Sequence, residues 1–153
     1  MQILTGVLLT MVLAFCLVAS GESQRSNSSA KDEVAKAMAG WADALNSRDP
    51  KRITATYDTE AVFWGTTAKN IRATPAEIAE YFSTSPQRPN TRVTIGEQHI
   101  RIYGDIAINS GYYTFSDLRD GKPVVNPSRF TFVFKRRGDK WMIIDHHSSR
   151  MPE

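Results

Sequence analysis

The chain has 153 residues, a net charge of +3 at neutral pH and a single cysteine. A chain of this length can bury one hydrophobic core, and so mild a charge does not require an acidic partner. With Cys16 alone, no disulfide can form within the chain, so packing must hold the fold together.

The first 20 residues carry no charged side chain and end in small residues, before a polar stretch. This pattern is typical of a secretory signal peptide. We expect residues 1–20 to be removed, which makes the protein secreted or periplasmic, with a mature N-terminus between Ser20 and Gln24. Because about 18 apolar residues can span a bilayer, the alternative is an uncleaved membrane anchor formed by residues 3–20.

Residues 21–29 form a polar linker, and three helix starts are predicted after it. Their N-caps are Ser29, Asp49 and Thr74, of which the last two are each followed by a proline at the first helical position. In the first helix apolar residues recur every three or four positions. The second helix is short and is predicted to extend to Tyr57.

Strand patterns dominate after residue 90, in segments 92–103, 106–118, 125–137 and 141–150. The turn dipeptides Gly104-Asp105, Asp120-Gly121 and Gly138-Asp139 join them, so neighbouring strands should be antiparallel. A change of apolar parity near Gly96 predicts a bulge there. With a short strand at 61–65, the pattern is that of an α+β domain over residues 30–153, in which helices cover one face of a bent sheet.

Two segments of the chain carry a family resemblance. RFTFVFKRRGDKW followed by IIDHHSSRMP resembles the nuclear transport factor 2-like (cystatin-like cone) superfamily. Within it, these residues look like the association domain of calcium/calmodulin-dependent protein kinase II and its small bacterial relatives. LNSRDPKRITATYDTEAVFWGT is similar to that family's first helix-helix-strand passage. The resemblance implies a cone-shaped fold, a pocket at its wide end and self-association through the sheet. SnoaL-like and ketosteroid-isomerase-like enzymes share the superfamily, so fold alone does not decide function.

The last strand ends in side chains that can bind a ligand. Alternation places His146, Ser148 and Arg150 on one face, together with Met142 and Ile144. We expect the first three to line the mouth of a pocket, with Met142 and Ile144 packed deeper on the helices. An arginine at the rim favours an anionic ligand, and a protonated His146 would add a second donor below about pH 6.5. The aromatic residues expected to line the pocket are Tyr112, Phe132 and Trp64.

The resemblance also implies a difference from the family at this pocket. One pocket arginine of the kinase association domain lies where this chain has Ser148, and a second aligns with Phe132. Arg150, two residues after Ser148 and on the same face, is the candidate replacement.

Several classes of site do not fit the pattern. Adjacent histidines point to opposite faces of a strand, so we expect no metal site, and nothing indicates a cofactor. The chain lacks the aromatic-basic pattern of nucleic-acid binding. Asp145, His147 and Ser149 lie about 7 Å apart per step along one strand, too far apart for a catalytic triad.

Two functions remain open. The first is an exported, self-associating module, at least a dimer, with a partly polar pocket for a small ligand. The second is a SnoaL-like or ketosteroid-isomerase-like enzyme, in which His146 would work with Asp58 or Tyr57 on a hydrophobic carbonyl compound. Self-association requires an apolar sheet face, for which parity predicts Tyr113, Phe115, Val133, Trp141 and Ile143.

Overall fold

The computed structural model describes residues 27–152, in which helices pack on one face of a five-stranded sheet. The predicted signal peptide and residues 21–26 of the predicted linker lie outside this range. In chain order the elements are helix α1 (27–47), helix α2 (Pro50–Thr54), strand β1 (Tyr57–Trp64), helix α3 (Pro75–Phe82), a 3₁₀ turn (Ser85–Gln87), and strands β2 (Arg92–Tyr103), β3 (Ile106–Arg119), β4 (Lys122–Arg137) and β5 (Lys140–Arg150).

Two of the three predicted helix starts are confirmed. The Asp49 carboxylate accepts hydrogen bonds from the backbone N–H groups of Lys51 and Arg52. The Thr74 hydroxyl accepts from the backbone N–H of Glu77, while the Glu77 carboxylate accepts from the Thr74 hydroxyl and from a preceding backbone N–H. These contacts satisfy N–H groups that a helix leaves free at its first turn.

Two details of the helical region were predicted wrongly. Ser29 lies inside α1 instead of capping it. Ala30 is already buried, one turn before the buried Val34, so the helix packs against the core from its first turns. Tyr57 begins strand β1 instead of ending α2.

None of the helices in the described range has the length and apolar composition needed to cross a bilayer.

The sheet order is β1-β5-β4-β3-β2, with antiparallel pairs from β5 to β2 and β1 parallel to β5 at the edge. This curved, unclosed sheet confirms the α+β cone prediction. The predicted bulge is present as a register shift between Ile95 and Gln98. It brings the Glu97 carbonyl so close to Gly111 that a Cβ there would collide with it, so the bulge depends on a glycine in the facing strand.

A second bulge, in β5, changes which residues face the helices. The β4–β5 register shifts between Val133 opposite Asp145 and Phe134 opposite Ile143, which leaves Ile144 as the extra residue. As a result Trp141 and Ile143 are buried on the same side as His146 and Ser148. The prediction that Met142 and Ile144 pack on the helices is therefore wrong, because one inserted residue inverts the alternation of a strand.

The apolar sheet face predicted for self-association is also assigned incorrectly. Tyr113, Trp141 and Ile143 belong to the core under the helices, and Phe115 packs against that core. Of the five predicted residues only Val133 lies on the outer face, defined here as the sheet face turned away from the helices. The large exposed side chains on this outer face include Trp64, Tyr103, Tyr112, Leu118 and Val125.

The β4–β5 hairpin is fastened to the rest of the fold by its two arginines. Arg136 donates to Glu33 of α1 at 2.9 Å and lies over the Trp141 ring. Arg137 forms ion pairs with Asp58 at 2.8 Å and Glu60 at 2.6 Å, both in β1. This hairpin therefore joins β1 and α1 to the centre of the sheet.

The Asp58–Arg137 pair gives a stability prediction. Asp58 is 9% exposed, and its hydrogen bond from Arg137 lowers the pKa of the carboxyl below its ordinary value of 3.8. Asp58→Asn should lower the free energy of unfolding by roughly 1.5–3 kcal/mol near neutral pH, as expected for a hydrogen bond to a charged group. This contribution should fade as the pH falls through the lowered pKa. Urea unfolding measures it.

Glu60→Gln is the matched control, because Glu60 binds the same arginine with a side chain that is 67% exposed. A solvent-exposed ion pair contributes about 0–1 kcal/mol, so this change should have a small effect. Equal losses in the two variants would contradict the role given to Asp58.

Candidate ligand-binding site: an arginine-lined cavity

A cavity of about 380 Å³ lies between the inner face of the sheet, the end of α1 and helix α3. Its floor is aromatic and belongs to the core. Its upper part is polar and basic: among the described residues it is lined by five arginines, Arg48, Arg72, Arg88, Arg119 and Arg150, against two carboxylates, Glu80 and Asp117.

Arg48 takes a conformation that its backbone disfavours. It directly follows α1 with φ of 60°, and its N–H donates to the Leu45 carbonyl at 3.0 Å. This left-handed position at a helix C-terminus is usually occupied by glycine, because a Cβ is strained there. Its guanidinium nevertheless reaches the cavity, and its buried Nη1 has no hydrogen-bond partner within residues 27–152.

Arg72 supplies a second buried donor. Its backbone is held in place by two hydrogen bonds with Phe63, at 2.8 and 2.9 Å. Its Nε is buried and, in the part of the chain that the structure describes, has no partner; the same is true of the hydroxyl of Thr91. All three side chains, Arg48, Arg72 and Thr91, line the cavity. Buried polar groups normally have partners, so these three atoms are candidate contacts for a polar ligand.

His146 lies at the floor between two tyrosines. Its Nδ1 is 2.8 Å from the Tyr57 hydroxyl and its Nε2 is 3.4 Å from the Tyr113 hydroxyl. Trp41 donates its indole N–H to the same Tyr57 oxygen at 3.2 Å. The imidazole ring stacks on Phe132 with a centroid distance of 3.8 Å.

Three hydroxyl groups meet beside this histidine. Thr66 and Ser148 are in hydrogen-bond contact, and the hydroxyl of Tyr113 contacts Nε2 of the histidine. All three residues line the cavity. Thr66 is brought here by the turn that follows β1, where the ring of Tyr81 covers Gly65 so closely that a Cβ would collide with it.

Burial sets the protonation states of this floor. It lowers the pKa of His146 well below its ordinary value of 6.5, with a smaller contribution from the neighbouring charge of His147. It raises the pKa values of both Tyr57 and Tyr113. His146 is therefore a neutral imidazole between two neutral phenols. The expectation that a protonated His146 donates to a ligand near pH 6.5 is wrong, because desolvation disfavours the charged form.

The structure brings some of the predicted site residues together and separates others. His146, Ser148 and Arg150 line the cavity, while Phe132 lies beneath His146 in the core. Tyr112 is 46% exposed and Trp64 48% exposed, both on the outer face and away from the cavity. Tyr57 meets His146, whereas the Asp58 carboxylate bonds to Arg137 and does not line the cavity.

Arg48 and Arg72 were not predicted as site residues. The guanidinium groups of arginines in connecting segments are usually solvated. Only tertiary packing brings those of Arg48 and Arg72 into a cavity. One signal was present for Arg48: a helix ends at NSRDP with an arginine where glycine is preferred.

Among the residues that the structure describes, no three His, Cys, Asp or Glu side chains group together to hold a metal ion.

Comparison with known proteins gives one family and many similar folds. The model of the calcium/calmodulin dependent protein kinase II association domain matches residues 30–152. No curated protein matches the chain. A structure from Xanthomonas campestris, described as such an association domain, is 33% identical, with a TM-score of 0.73 over 79% of this chain and 87% of that chain.

Two more distant structures share the fold. The CamKII hub homology domain of Chlamydamonas reinhardtii is 20% identical, with a TM-score of 0.69 over 80% of this chain and 99% of that one. A protein of the NTF2-like family from Streptomyces avermitilis, described as a dehydratase, is 14% identical, with a TM-score of 0.77 over 83% of this chain and 99% of that one.

Proposed function

This chain belongs to the calcium/calmodulin dependent protein kinase II association domain family, and we propose that it is an exported, self-associating module that binds a small carboxylate in its cavity. Export rests on the apolar pattern of residues 1–20. Self-association is suggested by the family and by the similarity to a hub homology domain. The ligand is argued from the cavity itself.

The observation that carries the proposal is the pair of buried arginine nitrogens, Arg48 Nη1 and Arg72 Nε, that lack a partner in the described range. A guanidinium donor left unpaired in a buried site costs free energy. An anion provides the missing acceptors, and a carboxylate matches the geometry of a guanidinium fork. Arg150 adds a third positive charge at the rim.

The floor indicates the shape of the rest of the ligand. Aromatic side chains of the core surround the lower cavity: Trp41, Phe63, Phe82, Tyr113 and Phe115. A mostly apolar site with a few placed polar groups is typical of a small-molecule site. The proposed ligand class is therefore a carboxylate with an apolar or aromatic body.

An acid-base enzyme is less well supported. Proton abstraction requires a base with a suitable pKa within hydrogen-bond reach of the reacting carbon. Within residues 27–152 no carboxylate hydrogen bonds to His146 or Tyr57, and Asp58 is held by Arg137. Both nitrogens of His146 already face tyrosine hydroxyls, which leaves no free base there.

Anion binding is tested with Arg72→Gln, titrated calorimetrically with 4-isopropylbenzoate. Loss of a charged hydrogen bond should weaken binding about 10- to 100-fold. Arg129→Gln is the matched control, because Arg129 is an exposed arginine of the opposite sheet face, and it should bind as the wild type does. The uncharged amide of the same acid should not bind. Equal affinity of the Arg72 variant and the wild type would refute this site.

Self-association is tested by light scattering at micromolar concentration. We expect at least a dimer, formed through the outer face of the sheet, where exposed Trp64 and Tyr112 lie. Tyr112→Glu places a charge in that contact and should lower the measured mass, since a buried unpaired charge is costly. Ile71→Glu, at an exposed apolar position in the loop before α3 and outside the sheet, is the control. A monomeric wild type would contradict the proposal.

A further inference from the structure

We propose that the ligand is a dicarboxylate, with one carboxylate held by Arg48 and Arg72 and the second bound at the mouth of the cavity by Arg150. The inference rests on the proposed function, because it names the ligand of the same cavity more closely. Its basis is the charge of the cavity lining, the two depths at which the arginines lie and the position of Arg150 along β5.

The cavity lining carries more positive charge than one carboxylate neutralises. Its five arginines stand against Glu80 and Asp117, which gives a formal excess of +3 among the described residues. A bound monocarboxylate leaves an excess of +2, and a dicarboxylate leaves +1. A concave site lined by one sign of charge concentrates ligands of the opposite sign, so a second negative charge should strengthen binding.

These arginines are not already paired with acids of the protein. Within residues 27–152 none of the five forms an ion pair, although two carboxylates line the same cavity. Arg136 and Arg137 of the β4–β5 hairpin, by contrast, are both bound to carboxylates. The positive charge of the cavity is therefore available to a ligand.

The arginines of the cavity lie at two depths. Arg48 and Arg72 are half-buried, and each has a buried nitrogen without a partner in the described range. Arg88, Arg119 and Arg150 are exposed. A ligand that binds the deeper pair and also reaches the mouth needs an acceptor group at each end.

The register of the sheet separates Arg72 from Arg150. Arg72 is joined to Phe63 by two backbone hydrogen bonds, and Phe63 lies opposite His146 of β5. Arg150 is four residues further along that strand and lines the cavity, as His146 does. Four residues of an extended strand rise about 13 Å. The two arginine side chains span part of this distance, and the aromatic body proposed for the ligand spans the rest, which puts the second carboxylate at the far end of that body.

Of the two exposed arginines that lie on strands, Arg150 is the better placed for a second carboxylate. Arg119 follows Asp117 by two residues on β3, and both line the cavity, so a negative charge opposes an anion there. The acid of β5, Asp145, lies opposite Val133 on the outer face. β5 therefore presents the charge of Arg150 to the cavity without a carboxylate beside it on that face.

The first test compares acids of nearly equal shape. In terephthalate a second carboxylate replaces the isopropyl group of 4-isopropylbenzoate, and in monomethyl terephthalate that carboxylate is an uncharged ester. In calorimetric titration at neutral pH, the wild type should bind terephthalate about tenfold more tightly than either monoacid. Arg150→Gln should remove this preference and retain the affinity for 4-isopropylbenzoate. Arg129→Gln, on the outer face, should retain both.

The outcomes separate this inference from the proposed function. If none of the three acids binds to the wild type, the proposed function fails. If all three bind equally and binding depends on Arg72, the monocarboxylate site stands and the inference is overturned. A preference for terephthalate that survives in Arg150→Gln also overturns it, because the second carboxylate is then bound by another group.

The second test uses the wild type alone and so does not depend on the folding of a variant. Arg150 is exposed, so salt screens its attraction for an anion, whereas buried contacts are screened much less. Raising sodium chloride from about 0.05 M to about 0.3 M should therefore reduce the preference for terephthalate over 4-isopropylbenzoate. A preference that is unchanged by salt would overturn the assignment to an exposed arginine.

Discussion

Each pH unit below about 6.5 should lower the free energy of unfolding by up to about 1.4 kcal/mol, and His146 is the cause. The ring is buried as the neutral form, and its pKa lies well below the ordinary 6.5. The unfolded chain takes up a proton there near pH 6.5, whereas the folded protein does not. The free energy of unfolding is therefore not reduced by His146 above pH 6.5. It falls as the pH drops from 6.5 toward the pKa that His146 has in the folded protein.

The adjacent histidines provide a matched pair for this measurement. His146→Phe keeps a flat ring against Phe132 but cannot titrate, so it should remove most of the slope. His147→Phe changes the exposed neighbour on the outer face and should retain it. Urea unfolding between pH 5 and 7 measures the slope, at a pH above the range in which ordinary carboxylates titrate. An unchanged slope in His146→Phe would show that another group is responsible.

The fold could be predicted where local chemistry determines structure. Proline after a capping side chain marked the starts of α2 and α3, and turn dipeptides gave the antiparallel strands. The bulge near Gly96 was visible because the apolar parity of the sequence changes there. The bulge at Ile144 was not visible, because the residues from Trp141 to Ile144 are all apolar and show no alternation that an inserted residue could interrupt.

That single bulge explains the errors on β5. A strand alternates strictly, so one inserted residue moves every earlier residue to the opposite face. His146 and Ser148 were placed correctly because they follow Ile144, whereas Met142 and Trp141, which precede it, were exchanged. Tyr112 and Tyr113 were exchanged in β3 because nothing in that segment shows which face meets the helices.

The candidate site could be predicted only in part, since it joins distant segments. His146 and Ser148 lie on one strand, and alternation is enough to group them. Arg48 and Arg72 reach the same cavity from the end of α1 and from the loop after β1. No local sequence pattern predicts that two connecting segments will line the same cavity.

The strained position of Arg48 leads to the second large expected effect. Arg48→Gly should raise the free energy of unfolding by about 1 kcal/mol, because glycine adopts the left-handed conformation without a Cβ clash and the buried Nη1 donor, which lacks a partner in the described range, is removed. The same change should weaken binding of 4-isopropylbenzoate about 10- to 100-fold, since a charged donor is lost. An improved fold with an impaired site is the pattern expected where function retains a strained residue.

Arg48→Ala separates the two contributions. It removes the guanidinium but keeps a Cβ at φ of 60°, so it should lose binding as fully as the glycine variant while gaining less stability. Urea unfolding and calorimetric titration of the three proteins give both quantities. If the glycine variant is less stable than the wild type, Arg48 holds the end of α1 through contacts of its own and the strain argument fails. If it is more stable but still binds the acid normally, Arg48 is not part of the anion site.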